Sequence, residues 1–193
     1  MNSVIINNLY LVWFSHEEFP LFYSEYKSTS REFLISILSA FSLSVGSVYI
    51  TPVHMYDAPF VIIGEFLMHT LFFLAIPPVL AYNIDYQARK LNKSADIKII
   101  LSFVRYSLSI LALSAPFAMI LAALKIQGSV GFVVMVLVLS IIAVLNTLKG
   151  ASEVYKIDKN MMFRIVFNSF LFALIVPPLL CFYYILTILS VIL

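Results

Sequence analysis

Glu65 and His69 stand four residues apart inside a run of apolar residues, the spacing that puts two side chains on one face of a helix. A carboxylate and an imidazole so placed can share a proton, or supply two ligands to a metal. No other apolar run offers a third or fourth ligand, since His16 and His54 fall outside them, and zinc needs three or four protein ligands. Neither a metal nor a cofactor is therefore expected. Two readings of the pair stay open: a mutually satisfied hydrogen-bonded couple assisted by Lys125, or a proton relay. Arg105 is a further ionisable group within an apolar run, and its long side chain can snorkel back to a membrane surface. Asn146 and Asn168 can hydrogen-bond across helices.

The elements that must position these groups follow from composition. Of 193 residues 62% are hydrophobic and only 11% charged, against roughly 45–50% and about 25% in soluble domains. So little charge cannot cover a water-facing surface, which excludes a soluble enzyme, and disorder requires the opposite composition. A lone Cys181 excludes a disulfide framework, and a net charge of +2 gives no reason to expect nucleic acid. Five stretches approach the roughly 20 apolar residues that cross a bilayer as helix: 33–50, 59–82, 99–124, 130–148 and 163–190. None alternates as a membrane strand would. The expected fold is all-α, a polytopic membrane protein with a five-transmembrane-helix bundle over 33–193, preceded by an interfacial segment over 1–32. Pro77–Pro78, Pro116 and Pro177–Pro178 predict kinks in the second, third and fifth spans.

Basic residues orient the bundle. Every Lys and Arg except Lys125 lies before the first span, between the second and third, or between the fourth and fifth, or just inside their ends. By the positive-inside rule the N-terminus is cytoplasmic and the C-terminus lies on the opposite side. No cleavable signal peptide is apparent, so the chain is expected to be retained whole. The loop between the second and third spans carries Arg89, Lys90, Lys93 and Lys98, a set suited to fixing topology and to contacting anionic headgroups or a protein partner. In the N-terminal segment, Ser15 and Glu18 have capping-box spacing. Trp13, Phe14, Phe19, Phe22 and Tyr23 suit the headgroup region.

Small residues repeat at helical spacing: Ser36, Ala40 and Ser44 on one face of the first span, Ser42 and Gly46 on another, and Ser114, Ala118 and Ala122 in the third. Such spacing lets helices approach closely and can serve self-association. Motifs for intramembrane hydrolysis and phosphate loops are absent, and no Ser has a His neighbour at helical spacing. The chain is not expected to be an enzyme.

With five spans and a cytoplasmic N-terminus, the chain resembles the Yip family of Ypt/Rab-interacting membrane proteins, closest to its short bacterial branch. Trp13, Phe14, Ser15, His16, Glu17, Glu18 and Phe19 are similar to that branch's aromatic and acidic opening, with Glu17 where the family has Pro. Phe103, Val104, Arg105, Tyr106, Ser107 and Leu108 resemble the start of the family's third span, with Arg105 in place of Gly and the following Pro delayed to Pro116. Leu148, Lys149 and Gly150 resemble its Leu-x-x-Gly turn at the end of the fourth span, with one residue fewer between Leu and Gly. The resemblance implies a non-enzymatic membrane scaffold or adaptor that organises membrane proteins or lipids, in a bacterial inner membrane. Eukaryotic relatives act in vesicle traffic and contact Rab-type GTPases through a longer N-terminal region. The alternative from the residues themselves is a small transporter or proton-coupled permease using Glu65 and His69.

Overall fold

The computed structural model describes residues 2–21, 29–50, 58–126 and 128–192, with side chains left aside at 2–3, 29, 58, 129 and 176–192. His54, Phe22 and Tyr23 lie outside the described residues, as do the side chains of Pro177, Pro178 and Cys181. In chain order the helices are α1 (Asn2–Phe14), α2 (Thr29–Ile50), α3 (Ala58–Lys90), α4 (Ile97–Leu108), a 3-10 stretch (Ser109–Leu113), α5 (Ser114–Ala123), α6 (Gly128–Tyr155) and α7 (Lys159–Ile192). No strand occurs among the described residues.

Four helical segments are long and apolar enough to cross a membrane: Ser30–Ile50, Pro59–Lys90, Ile97–Ala123 and Val130–Tyr155. Their surface argues the same way. Only 11% of the most apolar window of α3 is buried, and Phe60, Ile63, Leu67, Met68, Leu71 and Leu74 all face outward. A continuous apolar face of that extent is stable only against hydrocarbon or a partner. The fifth stretch lies in α7, which is helical throughout but whose second half lies outside the residues with described side chains.

Helix α2 is packed against α3 on one side and against α5 and the 3-10 stretch on another. Ala40 and Ser44 are fully buried and Ser36 nearly so, so the small-residue stripe is a packing face. The second stripe meets the break in the third span. Pro116 has no N–H, and its ring crowds the carbonyl four residues back, that of Ala112. The ladder there tightens into the 3-10 stretch, and Pro116 sits in the first turn of the resumed helix, where proline is tolerated. Ser42 satisfies the groups this break releases. Its Oγ donates to the Ala112 carbonyl at 2.6 Å and accepts the Ala115 N–H at 3.1 Å. One turn along, Gly46 lies against the Ser114 backbone, where an added Cβ would stand 2.9 Å from the carbonyl carbon. By contrast, α3 runs unbroken through Pro77 and Pro78.

The N-terminal segment departs from expectation. A helix of 13 residues, α1, precedes Ser15, and Ser15 to Glu18 form a backbone turn, with the Glu18 N–H on the Ser15 carbonyl at 3.1 Å, from which helical residues 19–21 follow. Phe19 is fully buried, not interfacial; it meets Phe103 edge-on at 5.0 Å and Tyr106 at 6.0 Å. Asn8 Nδ2 donates to the Tyr106 hydroxyl at 3.0 Å and Trp13 Nε1 to the Tyr106 carbonyl at 3.3 Å. The segment is thus pinned onto α4 by bonds as well as by aromatic packing. Gly150 lies within α6 and not in a turn. A side chain there would overlap the Phe103 ring, so the glycine makes the space into which that ring fits.

Replacing Ser42 by Ala strands a carbonyl and an N–H in a water-free interface. We expect a loss of about 1–2 kcal/mol in a reversible unfolding titration in mixed micelles. Ser39→Ala, about one turn earlier on α2, is the reference, because the Ser39 hydroxyl bonds within its own helix, to the Ile35 carbonyl at 2.8 Å. Equal stability of the two variants would show that Ser42 does not bridge the break.

Candidate functional site

The polar groups of the bundle converge on α2. Glu32, Ser36, Ser39 and Ser47 recur at spacings of three, four and eight residues, so they share a face about 22 Å long at helical rise. At the basic end, Arg105 Nη1 meets Glu32 Oε2 at 2.7 Å, and Ser102 Oγ donates to Glu32 Oε1. The Glu32 side chain is 3% exposed and that of Arg105 19%. Arg105 therefore does not snorkel to the interface. Leaving an unpaired charge in hydrocarbon costs more than ordering both side chains in one geometry, so the guanidinium turns inward to the carboxylate.

Towards the other end, α2 receives both residues of the sequence-predicted pair. Ser47 Oγ donates to Glu65 Oε1 at 3.0 Å, and Ser44 Oγ lies 2.9 Å from His69 Nδ1. Among the described residues no hydrogen bond joins Glu65 to His69, and no ion pair joins Glu65 to Lys125, which is exposed past the end of α5. The expected mutual couple is thus replaced by two separate bonds to the neighbouring helix. The helical rise places the pair on one face of α3, but that face meets serines that accept and donate in their own right. The Ser44 hydroxyl also reaches the Ala40 carbonyl at 2.8 Å. The same hydroxyl faces His69 Nδ1, and which of the two groups donates depends on the imidazole tautomer. Glu65 Oε2 is buried with no hydrogen-bond partner among the described residues.

A further cluster ties α3 to α6. Asp85, 5% exposed, accepts from Arg89 Nε at 2.6 Å and from the Tyr155 hydroxyl at 2.8 Å. Of the predicted contact loop, Arg89 is therefore held from one side, although its side chain is 59% exposed. Lys90 lies over the Tyr86 ring at 4.4 Å. Lys93 and Lys98 are exposed and make no ion pair among the described residues. Asp96 caps α4, accepting the Lys98 backbone N–H at 2.9 Å.

Ser15, His16, Glu17 and Glu18 close a cleft of about 360 Å³ against Lys149, Glu153 and Lys159. His16 stacks on Phe103 with ring centroids 6.1 Å apart. Burial holds its pKa below the usual imidazole value, partly offset by the Asn146 side chain. Asn146 is buried in α6, whereas Asn168 is exposed on the outer surface of α7. No group of three or more His, Cys, Asp or Glu placed to hold a metal occurs among the described residues.

Sequence reasoning missed Glu32, Asp85 and Tyr155 as partners. Glu32 sits one residue before the predicted first span, and its spacing of four from Ser36 was the available signal. Compared with protein families, curated proteins and solved structures, the chain matches none.

The Glu32–Arg105 pair sets a double-mutant cycle. Glu32→Leu or Arg105→Leu alone should destabilise by about 3–5 kcal/mol, because each leaves one buried charge. The double variant should recover most of that loss in the same unfolding titration. Additive losses would show that the two side chains do not interact.

Proposed function

We propose that this chain is a five-span integral membrane protein of the Yip type, oriented with its N-terminus in the cytoplasm. In this reading it is a non-enzymatic scaffold or adaptor in a bacterial inner membrane. One observation carries the reading: ionisable groups inside the bundle bond to neighbouring helices, while Lys93 and Lys98 are exposed at the basic end with no ion pair among the described residues. Charges held in internal bonds position helices. Charges left free are available to a partner, and complementary charge gives such a contact its specificity and speed of encounter. The partner class this favours is an acidic patch on another membrane or cytoplasmic protein.

A second reading, proton-coupled transport, has one observation in its favour, the unpartnered buried Oε2 of Glu65. It requires that carboxyl to take up and release a proton, a role that Gln at position 65 cannot fill.

The scaffold reading is tested by quantitative co-purification from native membranes. The full-length Lys93→Glu/Lys98→Glu protein should lose bound partners by fivefold or more, while Lys125→Glu at the opposite end retains them. An unchanged partner set in the first variant would refute the reading.

A further inference from the structure

A groove of about 490 Å³ opens between the last turns of α3 and the first turns of α7. Its two walls run antiparallel, since the end of α3 at Lys90 faces the start of α7 near Arg164. Its lining grades along the bundle axis. Lys90 and Arg164 stand at the mouth, Asn83 and Asn168 lie about one to two turns deeper, and Ile165 and Phe172 supply apolar wall. No Asp or Glu lines it among the described residues, and the nearest carboxylate on α3, Asp85, is turned to Tyr155 and Arg89. Arg164 is exposed with no ion pair among the described residues. Lys90 has only the Tyr86 ring beneath it.

Arg164 and Asn168 are exposed one turn apart on α7, next to exposed Phe167, Leu171 and Phe172, so this face offers polar and apolar groups side by side, the pairing an amphiphile presents. Gln87 already bonds within the bundle, to Asn83 at 3.3 Å and to Ser169 at 3.2 Å, and so stiffens the groove floor.

We infer that this groove is a binding site for one anionic phospholipid, with its phosphate between Lys90 and Arg164 and an acyl chain along Ile165 and Phe172. Charge complementarity selects the occupant. Two unopposed cations at a membrane boundary attract a phosphodiester, and the guanidinium can hold two of its oxygens. Asn168 then meets the glycerol ester region, and the apolar wall continues into the acyl layer. The inference goes beyond the scaffold reading and does not depend on Lys93 or Lys98.

Delipidated full-length protein in detergent is titrated with phosphatidylglycerol or phosphatidylcholine and bound lipid is counted by native mass spectrometry. Each surface cation is worth about a fivefold preference for anionic lipid, so wild type should favour phosphatidylglycerol by roughly 25-fold. Lys90→Gln/Arg164→Gln should bring the ratio close to one, while Lys125→Gln, at the opposite end, keeps it. Both altered residues are exposed, and a circular dichroism spectrum matching wild type checks that the variant is folded. Equal binding of the two lipids to wild type, or an undiminished preference in the double variant, would overturn the site. Full displacement of phosphatidylglycerol by millimolar inorganic phosphate would overturn it too, by reducing the groove to a plain anion site.

Discussion

A polar group in hydrocarbon has no water to turn to, and this constraint organises the bundle around α2. That helix supplies the carboxylate for Arg105, the hydroxyl that bridges the Pro116 break, and the two hydroxyls that meet His69 and Glu65. Each of these bonds joins α2 to a different place on α3 or on the third span. Its small side chains serve the same end, because a close approach is what brings short hydroxyl groups within reach of a neighbour's backbone. Serine on this helix is both spacer and ligand.

The break at Pro116 shows how local chemistry becomes tertiary structure. A proline inside a spanning helix frees a carbonyl, and a freed carbonyl in an apolar layer must be satisfied by another helix. Ser42 does this only because Gly46 allows the two backbones to meet. The same coupling recurs at the basic end, where Gly150 admits the Phe103 ring and that ring supports Phe19 and His16 of the N-terminal segment. Packing and polar satisfaction are arranged by the same few small residues, so the N-terminal segment is part of the bundle and not an appendage to it.

Much of the architecture was legible in the residues. Apolar runs located the spanning helices, and the small-residue stripes on α2 proved to be packing faces. The partners were harder to read, for physical reasons. Glu32 lies where span prediction places a boundary, yet α2 begins at Thr29 and carries it inside. The i,i+4 spacing of Glu65 and His69 correctly put them on one face, but spacing within a helix says nothing of what another helix presents to that face. Asp85 and Tyr155 are 70 positions apart, and no local pattern links them. Helix α1 is short and its sequence holds few cues to where it docks; Asn8 finds Tyr106 only once the third span is folded.

The account holds that Glu65 and His69 serve the structure through their serine partners. Proton flux into proteoliposomes tests this most directly, with wild type and Glu65→Gln reconstituted at matched density and each shown to be folded. The account predicts that both match protein-free vesicles under an imposed pH gradient or membrane potential. Flux through wild type that disappears in Glu65→Gln would contradict it and make the buried carboxyl part of a transport path.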